Sequence, residues 1–296
     1  MKWPFSQNIK PASDLTPILP PELERYIFEL YALESASPER ILHVLPVCRR
    51  VRTWLEPCLF RTIIFNDGFD NKLPSCELDT IQRASEAYPG ALEIVVTNVL
   101  LIGERQDTVE LVMRTCAGVK NLFFSGSKPE VFDLSPSLRR LHCGLEVFDF
   151  STGITFPLLT HLELFNIGRN FGTSDSHPLL VESETLLPNL THLAFSVTTV
   201  IRMLPDIVSC FTSLEALVIV STYRVVSSTP LLPEERRVFE DDCRIVLVSV
   251  SDYIVDWQEG VLSGEDYWTR ADRRIVNRQS GEVDASKFAV NFNDSD

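Results

Sequence analysis

Glycine is scarce in this 296-residue chain, twelve in all, and none stands in G-x-x-x-x-G-K-[ST] or G-x-G-x-x-G. A backbone cradle for phosphate is therefore missing. Gly260-Val261-Leu262-Ser263-Gly264 places its serine one position late for a nucleophile elbow, and H-E-x-x-H does not occur. The seven cysteines (48, 58, 76, 116, 143, 210, 243) are scattered, odd in number and never spaced C-x-x-C. That spacing excludes a disulfide framework and a structural zinc site and fits free thiols in a reducing compartment. No apolar run approaches the roughly 20 residues that span a bilayer. The first residues, Met-Lys-Trp-Pro-Phe-Ser-Gln-Asn, lack the apolar stretch of a secretory signal. The expectation is a chain of the cytoplasm or nucleus, with no membrane contact, in which the sequons at Asn189 and Asn293 are chance matches.

Positive charge is also short. The net charge is −14, and all of it lies late: residues 1–60 hold seven basic and seven acidic side chains, the remainder twenty and thirty-four. Such a field repels phosphate backbones and anionic lipid, so nucleic acid is not an expected partner. The short basic run Arg49-Arg50-Val51-Arg52 reads as a solvated helix face. With 45% hydrophobic residues the chain can bury a sizeable core.

Residues 17–31 predict a helix. Pro21 suits its first position, Glu22 and Glu24 its positive end, and Leu23, Ile27, Leu30 and Tyr31 form the stripe expected to be buried. Phe28 falls off that stripe, which suggests a second contact surface. A second helix starts at Ser37-Pro38 and carries Ile41, Leu45, Cys48, Val51 and Leu55; Pro46 should kink or break it. Leu59–Phe65 reads as a strand.

Leu19-Pro20-x-Glu22-Leu23-x-x-x-Ile27-Phe28, Val47-Cys48-Arg49-Arg50-Val51-Arg52-x-Trp54 and Pro57-x-Leu59-Phe60-Arg61 together resemble an F-box in order, spacing and helix phase over about fifty residues. The stretch from Trp54 to Phe60 is similar to the short F-box-like proteins abundant in some fungi. Pro46 and a longer link around residues 31–39 depart from the pattern. The resemblance implies docking onto the Skp-type adaptor of a cullin–RING ubiquitin ligase, with Leu19, Pro20, Ile27, Phe28, Val47, Cys48 and Trp54 as adaptor-binding positions. The alternative is a helical cap on the remainder of the chain.

That remainder is repetitive. The pattern apolar-x-x-Leu-x-apolar recurs as Ala91-x-x-Ile94-x-Val96, Val119-x-x-Leu122-x-Phe124, Leu138-x-x-Leu141-x-Cys143, Leu159-x-x-Leu162-x-Leu164, Leu190-x-x-Leu193-x-Phe195 and Leu214-x-x-Leu217-x-Ile219. The central residues are 28, 19, 21, 31 and 24 positions apart, close to the roughly 20–29 of leucine-rich repeats, and Arg244–Val248 is a weaker further strand. The region resembles that family, although the asparagine of its pattern is missing (Asn98 and Asn166 stand one position early). Helices are predicted between strands: Leu78, Ile81 and Tyr88 in one; Val109, Val112, Met113 and Cys116 after a capping-box-like Asp107-x-x-Glu110 in another; Ile201, Leu204, Ile207 and Val208, kinked at Pro205, in a third.

The expected fold is thus α/β: a tail over 1–13, an F-box-like module over 14–66, an irregular repeat solenoid with a helical cap over 67–278, and a polar mobile tail over 279–296. Parallel stacking, about 4.8 Å per strand, would align Asn121, Arg140, His161, His192 and Ala216 in one outward row. Phe123, His142, Glu163, Ala194 and Val218 would form the next, and Ser125, Gly144, Phe165, Ser196 and Val220 a third. From these, Asn121, Phe123, Arg140, His142, His161, Glu163, Phe165 and His192 are the expected partner-binding face. The near copies Leu159-Thr160-His161-Leu162 and Leu190-Thr191-His192-Leu193 bring two imidazoles together. Solvent-facing copies of one unit are a simpler reading than a metal centre, which needs fixed geometry and supporting partners. Trp268, Ala271 and Ile275 mark a helix expected to cap the open end, with Trp257 assisting. With no catalytic constellation and no cofactor motif, the reading is a non-enzymatic adaptor that tethers an unknown client protein to a ligase. The rival is a repeat scaffold without ligase role, and a hydrolase with a degenerate site ranks far below.

Overall fold

The computed structural model describes residues 19–34, 38–65, 72–126, 135–145, 155–165, 183–196, 198–222 and 231–291. The expected N-terminal tail, Asn166 and the Asn293 sequon lie outside them. The chain divides into two compact units, Met1–Leu59 and Phe60–Asp296.

The first unit is built from three helices, α1 (Pro21–Glu34), α2 (Pro38–Val44) and α3 (Arg49–Leu55), followed by a 3₁₀ turn at Glu56–Phe60. Pro21 opens α1, as its missing N–H favours, and the Pro20 carbonyl accepts from the amides of Leu23 and Glu24, each at 3.0 Å. Pro46 breaks the second predicted helix in two: α2 ends at Val44, and Cys48 is fully extended before α3. A small core holds Ala32, Ile41, Val51 and Leu55, with Phe28, Leu45, Trp54 and Leu59 packed against it. This reverses the expected stripe of α1. Leu23, Ile27, Leu30 and Tyr31 face water, Leu23 and Ile27 at about half of their full exposure, while off-stripe Phe28 and small Ala32 turn inward. Ala32 allows a close approach to α3, and an ion pair between Glu24 and Arg50 holds the same side.

The second unit centres on a nine-stranded, wholly parallel sheet whose strands lie in chain order. These are β1 (Thr62–Phe65), β2 (Asn98–Ile102), β3 (Asn121–Ser125), β4 (Arg140–Gly144), β5 (His161–Phe165), β6 (His192–Phe195), β7 (Ala216–Ser221), β8 (Ile245–Ser249) and β9 (Ala289–Val290). The strand register is the one the repeat spacing predicts: Asn121 pairs with Arg140, Arg140 with His161, His161 with His192, and His192 with Ala216.

Two segments differ. The first expected repeat strand, around Ile94, is instead a helical turn, α5 (Ala91–Val95), with Ile94 79% exposed. The same apolar spacing recurs five residues later as Val96-x-x-Val99-x-Leu101, and there all three side chains are fully buried; burial selects the second frame. The strand expected from Leu59 begins at Thr62 because the preceding residues close the 3₁₀ turn.

One face of the sheet carries the main core. Val99 and Leu101, Leu122 and Phe124, Leu141 and Cys143, Leu162 and Leu164, Leu193 and Phe195, Leu217 and Ile219 alternate into it. The connecting helices bury their apolar sides there. They are α4 (Leu78–Ala87) through Ile81 and Ala84, α6 (Gln106–Thr115) through Val109 and Val112, and the single turn α7 (Ser183–Leu186) through Leu186. They continue with α8 (Leu204–Cys210), through Leu204 and Ile207, and α9 (Pro233–Asp241), through Phe239. Each such Val, Leu, Ile or Phe side chain contributes roughly 1.5–3 kcal/mol. α6 starts one residue before the expected capping box, with Arg105 rather than Asp107 at its cap. Pro205 sits in the first turn of α8, after a 3₁₀ segment at Thr198–Met203.

Of the residues expected to trail from 279, the described ones, up to 291, return to complete the sheet. After α10 (Tyr253–Ser263) and α11 (Tyr267–Gln279), the chain turns back and β9 pairs with β8. Buried Phe288 stacks on Phe239, ring centroids 4.7 Å apart, with the Arg236 guanidinium over its ring. Apolar Phe288, Ala289 and Val290 are too short a run to announce a strand. Phe288→Ala should cost roughly 3 kcal/mol or more in urea denaturation; a loss below about 0.5 kcal/mol, the level of a surface change, would mean that this segment is a loose tail.

Candidate functional site

All eight residues of the expected partner face lie together on the second face of the sheet, but they are covered. Phe123, His142, Glu163 and His192 are buried, and Asn121, Arg140, His161 and Phe165 are half-buried. The cover is α10 and α11. α11 does not cap the open end, as its apolar side suggested; Tyr267, Trp268, Ala271 and Ile275 lie against Ala194, Ala216, Val218, Val246 and Val248. Those strand residues would otherwise form an apolar surface, which explains why the helices fold back.

The two helices are held as a unit. Asp252 caps α10 by accepting from the amides of Ile254 (2.7 Å) and Val255 (3.0 Å). α10 ends at Gly264, whose left-handed φ of 79° favours glycine. Asp266 then caps α11 through the Thr269 amide (2.9 Å). The corner is tight: a β-carbon on Gly260 would sit 2.7 Å from that of Asp266. Inside it, buried Asp256 accepts from Arg270 (2.6 Å) and from the Tyr267 amide (2.8 Å). Burial pushes the Asp256 carboxyl up to about 6, against the pull of Arg270.

Polar groups on the sheet meet polar groups on the helices. Trp257 Nε1 donates to Asn121 Oδ1 (3.1 Å), and Tyr253 Oη donates to the Val220 carbonyl (3.1 Å). Fully buried Gln258 accepts from the amides of Lys72 (2.7 Å) and Leu73 (2.9 Å). Arg140 donates to Asp266 (2.8 Å). Glu163 Oε2 faces His142 Nδ1 at 2.7 Å and accepts from Tyr267 Oη at 3.0 Å.

The repeated Thr-His units form one stack. The His161 and His192 rings lie 4.0 Å apart and 11° from parallel, and the edge of Trp268 closes on both, at 5.2 and 5.8 Å. Each Nδ1 faces the hydroxyl of the preceding threonine, and His192 Nε2 bonds Asp272 on α11 at 3.0 Å. Rings stacked face to face do not converge on a common point. Among the described residues no three His, Cys, Asp or Glu side chains form a metal-holding group. Burial, then neighbouring His192 and Arg140, hold His161 down to about 2. Cys116, buried in the core, is pushed up to about 12 and behaves as a small apolar side chain.

The adaptor-binding positions sit in the first unit. Leu19, Pro20, Ile27, Val47 and Cys48 are exposed, whereas Phe28 and Trp54 are half-buried and serve that unit's own core. Leu23 and Leu42, not among those positions, are exposed in the same unit. Asp256, Asp266, Tyr267 and Asp272 escape sequence reasoning because their partners lie 11 to 126 positions away.

The His161 stack makes stability depend on pH. The unfolded imidazole gains its proton near 6.5 and the folded one only near 2, so the unfolded state binds more protons between. The His161 contribution is complete above that window and falls as pH drops. Asp256, raised when folded, works in the opposite direction between about 4 and 6. A comparison with His161→Phe isolates the first effect: wild type should lose roughly 1–2 kcal/mol more than the variant between pH 7 and 5. Equal losses in urea titrations would place His161 in contact with solvent.

Compared with known proteins, the chain matches no family model, no curated protein and no solved structure. Its functional reading rests on its own geometry.

Proposed function

We propose that this chain is a protein-interaction adaptor of the F-box type, a non-enzymatic substrate-recognition subunit of a cullin–RING ubiquitin ligase. In this reading its second unit is an irregular leucine-rich solenoid. The observation that carries the reading is the surface of the first unit. Leu19, Leu23, Tyr26, Ile27, Leu30, Tyr31, Leu42 and Val47 are all exposed on one 59-residue unit. With few of its described side chains buried, the unit gains nothing by leaving these in water, and an exposed apolar set of this kind marks a protein-binding surface. Three short helices around a small core, opened by Leu19-Pro20, also suit the resemblance. Among the described residues no helix is long and apolar enough to cross a membrane, which agrees with work in the cytoplasm or nucleus.

The mechanism is tethering. The N-terminal helices hold the Skp-type adaptor, the second unit holds a client protein, and high effective concentration drives ubiquitin transfer by the ligase. No chemistry in this chain is required. The client surface is not the strand face, since α10 and α11 occupy it; clients meet the outer sides of those helices or the strand ends.

Co-purification with a recombinant Skp-type adaptor tests the proposal. Wild type should retain the adaptor, and Leu23→Asp with Ile27→Asp should reduce retention at least tenfold with an unchanged circular dichroism spectrum, because both side chains are exposed. Replacing Phe28 would disturb the core instead. A wild-type chain that retains no adaptor supports a scaffold whose helical unit is only structural.

A further inference from the structure

At the carboxyl ends of β2, β3, β5, β6 and β7, where α10 begins, the covered face leaves a cavity of about 390 Å³. That volume lies within the range of roughly 300–1,000 Å³ that small organic ligands occupy. One side of it is aromatic. Phe123 and Phe165 stack with centroids 5.6 Å apart and planes 23° from parallel, and Ile102, Tyr253 and Ile254 continue the apolar wall. The rest is lined by the hydroxyl residues Ser125, Ser196, Ser221 and Thr222, and by Glu163.

Glu163 carries the chemistry. It is 1% exposed and is the carboxylate that the described strands themselves carry. Its Oε2 has two partners, His142 and Tyr267, but its Oε1 has none. A buried carboxylate oxygen without a donor is costly and is normally satisfied. Among the described residues no lysine, arginine or histidine lines the cavity. The described walls therefore offer hydroxyls and a flat apolar surface beside the Glu163 carboxylate, and among the described residues no positive group that would hold an anion.

We propose that this cavity binds a small organic ammonium with a flat apolar body: the body lies against Phe123 and Phe165, and the ammonium donates to Glu163 Oε1 and to the serine hydroxyls. A neutral alcohol of the same shape fills the cavity with a weaker donor, and a carboxylate of the same shape is repelled by Glu163. The site lies wholly within the second unit and does not depend on the adaptor reading.

Calorimetric titration of the purified full chain at pH 7 with 2-phenylethylammonium, 2-phenylethanol and 3-phenylpropionate tests this directly. The amine should bind one to one and saturably, the alcohol about tenfold more weakly, a difference of about 1.4 kcal/mol, and the acid not at all. Glu163→Gln should weaken the amine about tenfold and remove the preference over the alcohol. Because that change also touches His142 and Tyr267, Ser196→Trp serves as a second variant: it fills the cavity and should abolish binding with an unchanged circular dichroism spectrum. No binding of the amine at millimolar concentration, equal binding of amine and acid, or undiminished binding to Ser196→Trp would each overturn the assignment.

Discussion

The second face of this parallel sheet is too apolar along its later strands to be left in water, since those strands carry Val and Ala on that side as well as Leu and Ile on the other. In this chain the described crossover helices pack on a single face: α4, α6, α8 and α9 all contribute to the same core. The opposite face, with Ala194, Ala216, Val218, Val220, Val246 and Val248 on its later strands, has no described crossover to cover it. The carboxyl-terminal residues answer that demand. α10 and α11 fold back over the face, and β9 then adds a final strand beyond β8.

The match between cover and sheet is chemical as well as steric. The later strands offer small apolar side chains, and α11 sets Ala271 and Ile275 there. The middle strands offer Arg140, His142, His161, Glu163 and His192, and the helices bring Asp266, Tyr267, Trp268 and Asp272 to them. Buried polar groups of this kind add little net stability but penalise any other docking of the helices, because a shift would strand them without partners. The Asp256–Arg270 pair has the same effect at the corner between α10 and α11.

Legibility in the sequence followed the range of the interactions. Strands β3 to β7 and their mutual register could be read from Leu122, Leu141, Leu162, Leu193 and Leu217, because the spacing of a repeat is a local property that stacking reproduces. Helix starts at Pro21 and Pro38 and the break at Pro46 were equally local. The cover was not legible. Nothing in the spacing of His142, His161 and Glu163 says whether water or Trp268 lies above them, and the polarity of those side chains argued for water. The inward side of α1 was misread for a related reason. Leu23, Ile27 and Leu30 make the more apolar stripe, but the tertiary partner α3 selects Phe28 and Ala32, and the larger stripe is left for another surface.

The carboxyl-terminal helices close the second face of the sheet through the contact of Trp268 with the paired imidazoles, and the rest of the cover depends on that closure. Nuclear Overhauser spectra of a chain labelled only at tryptophan and histidine test it most directly. Cross-peaks between the Trp268 indole protons and the ring protons of both His161 and His192 are predicted, from centroid separations of 5.2 and 5.8 Å. If those cross-peaks are missing while the Trp268 indole exchanges freely with solvent, the face is open and the helices do not cover it.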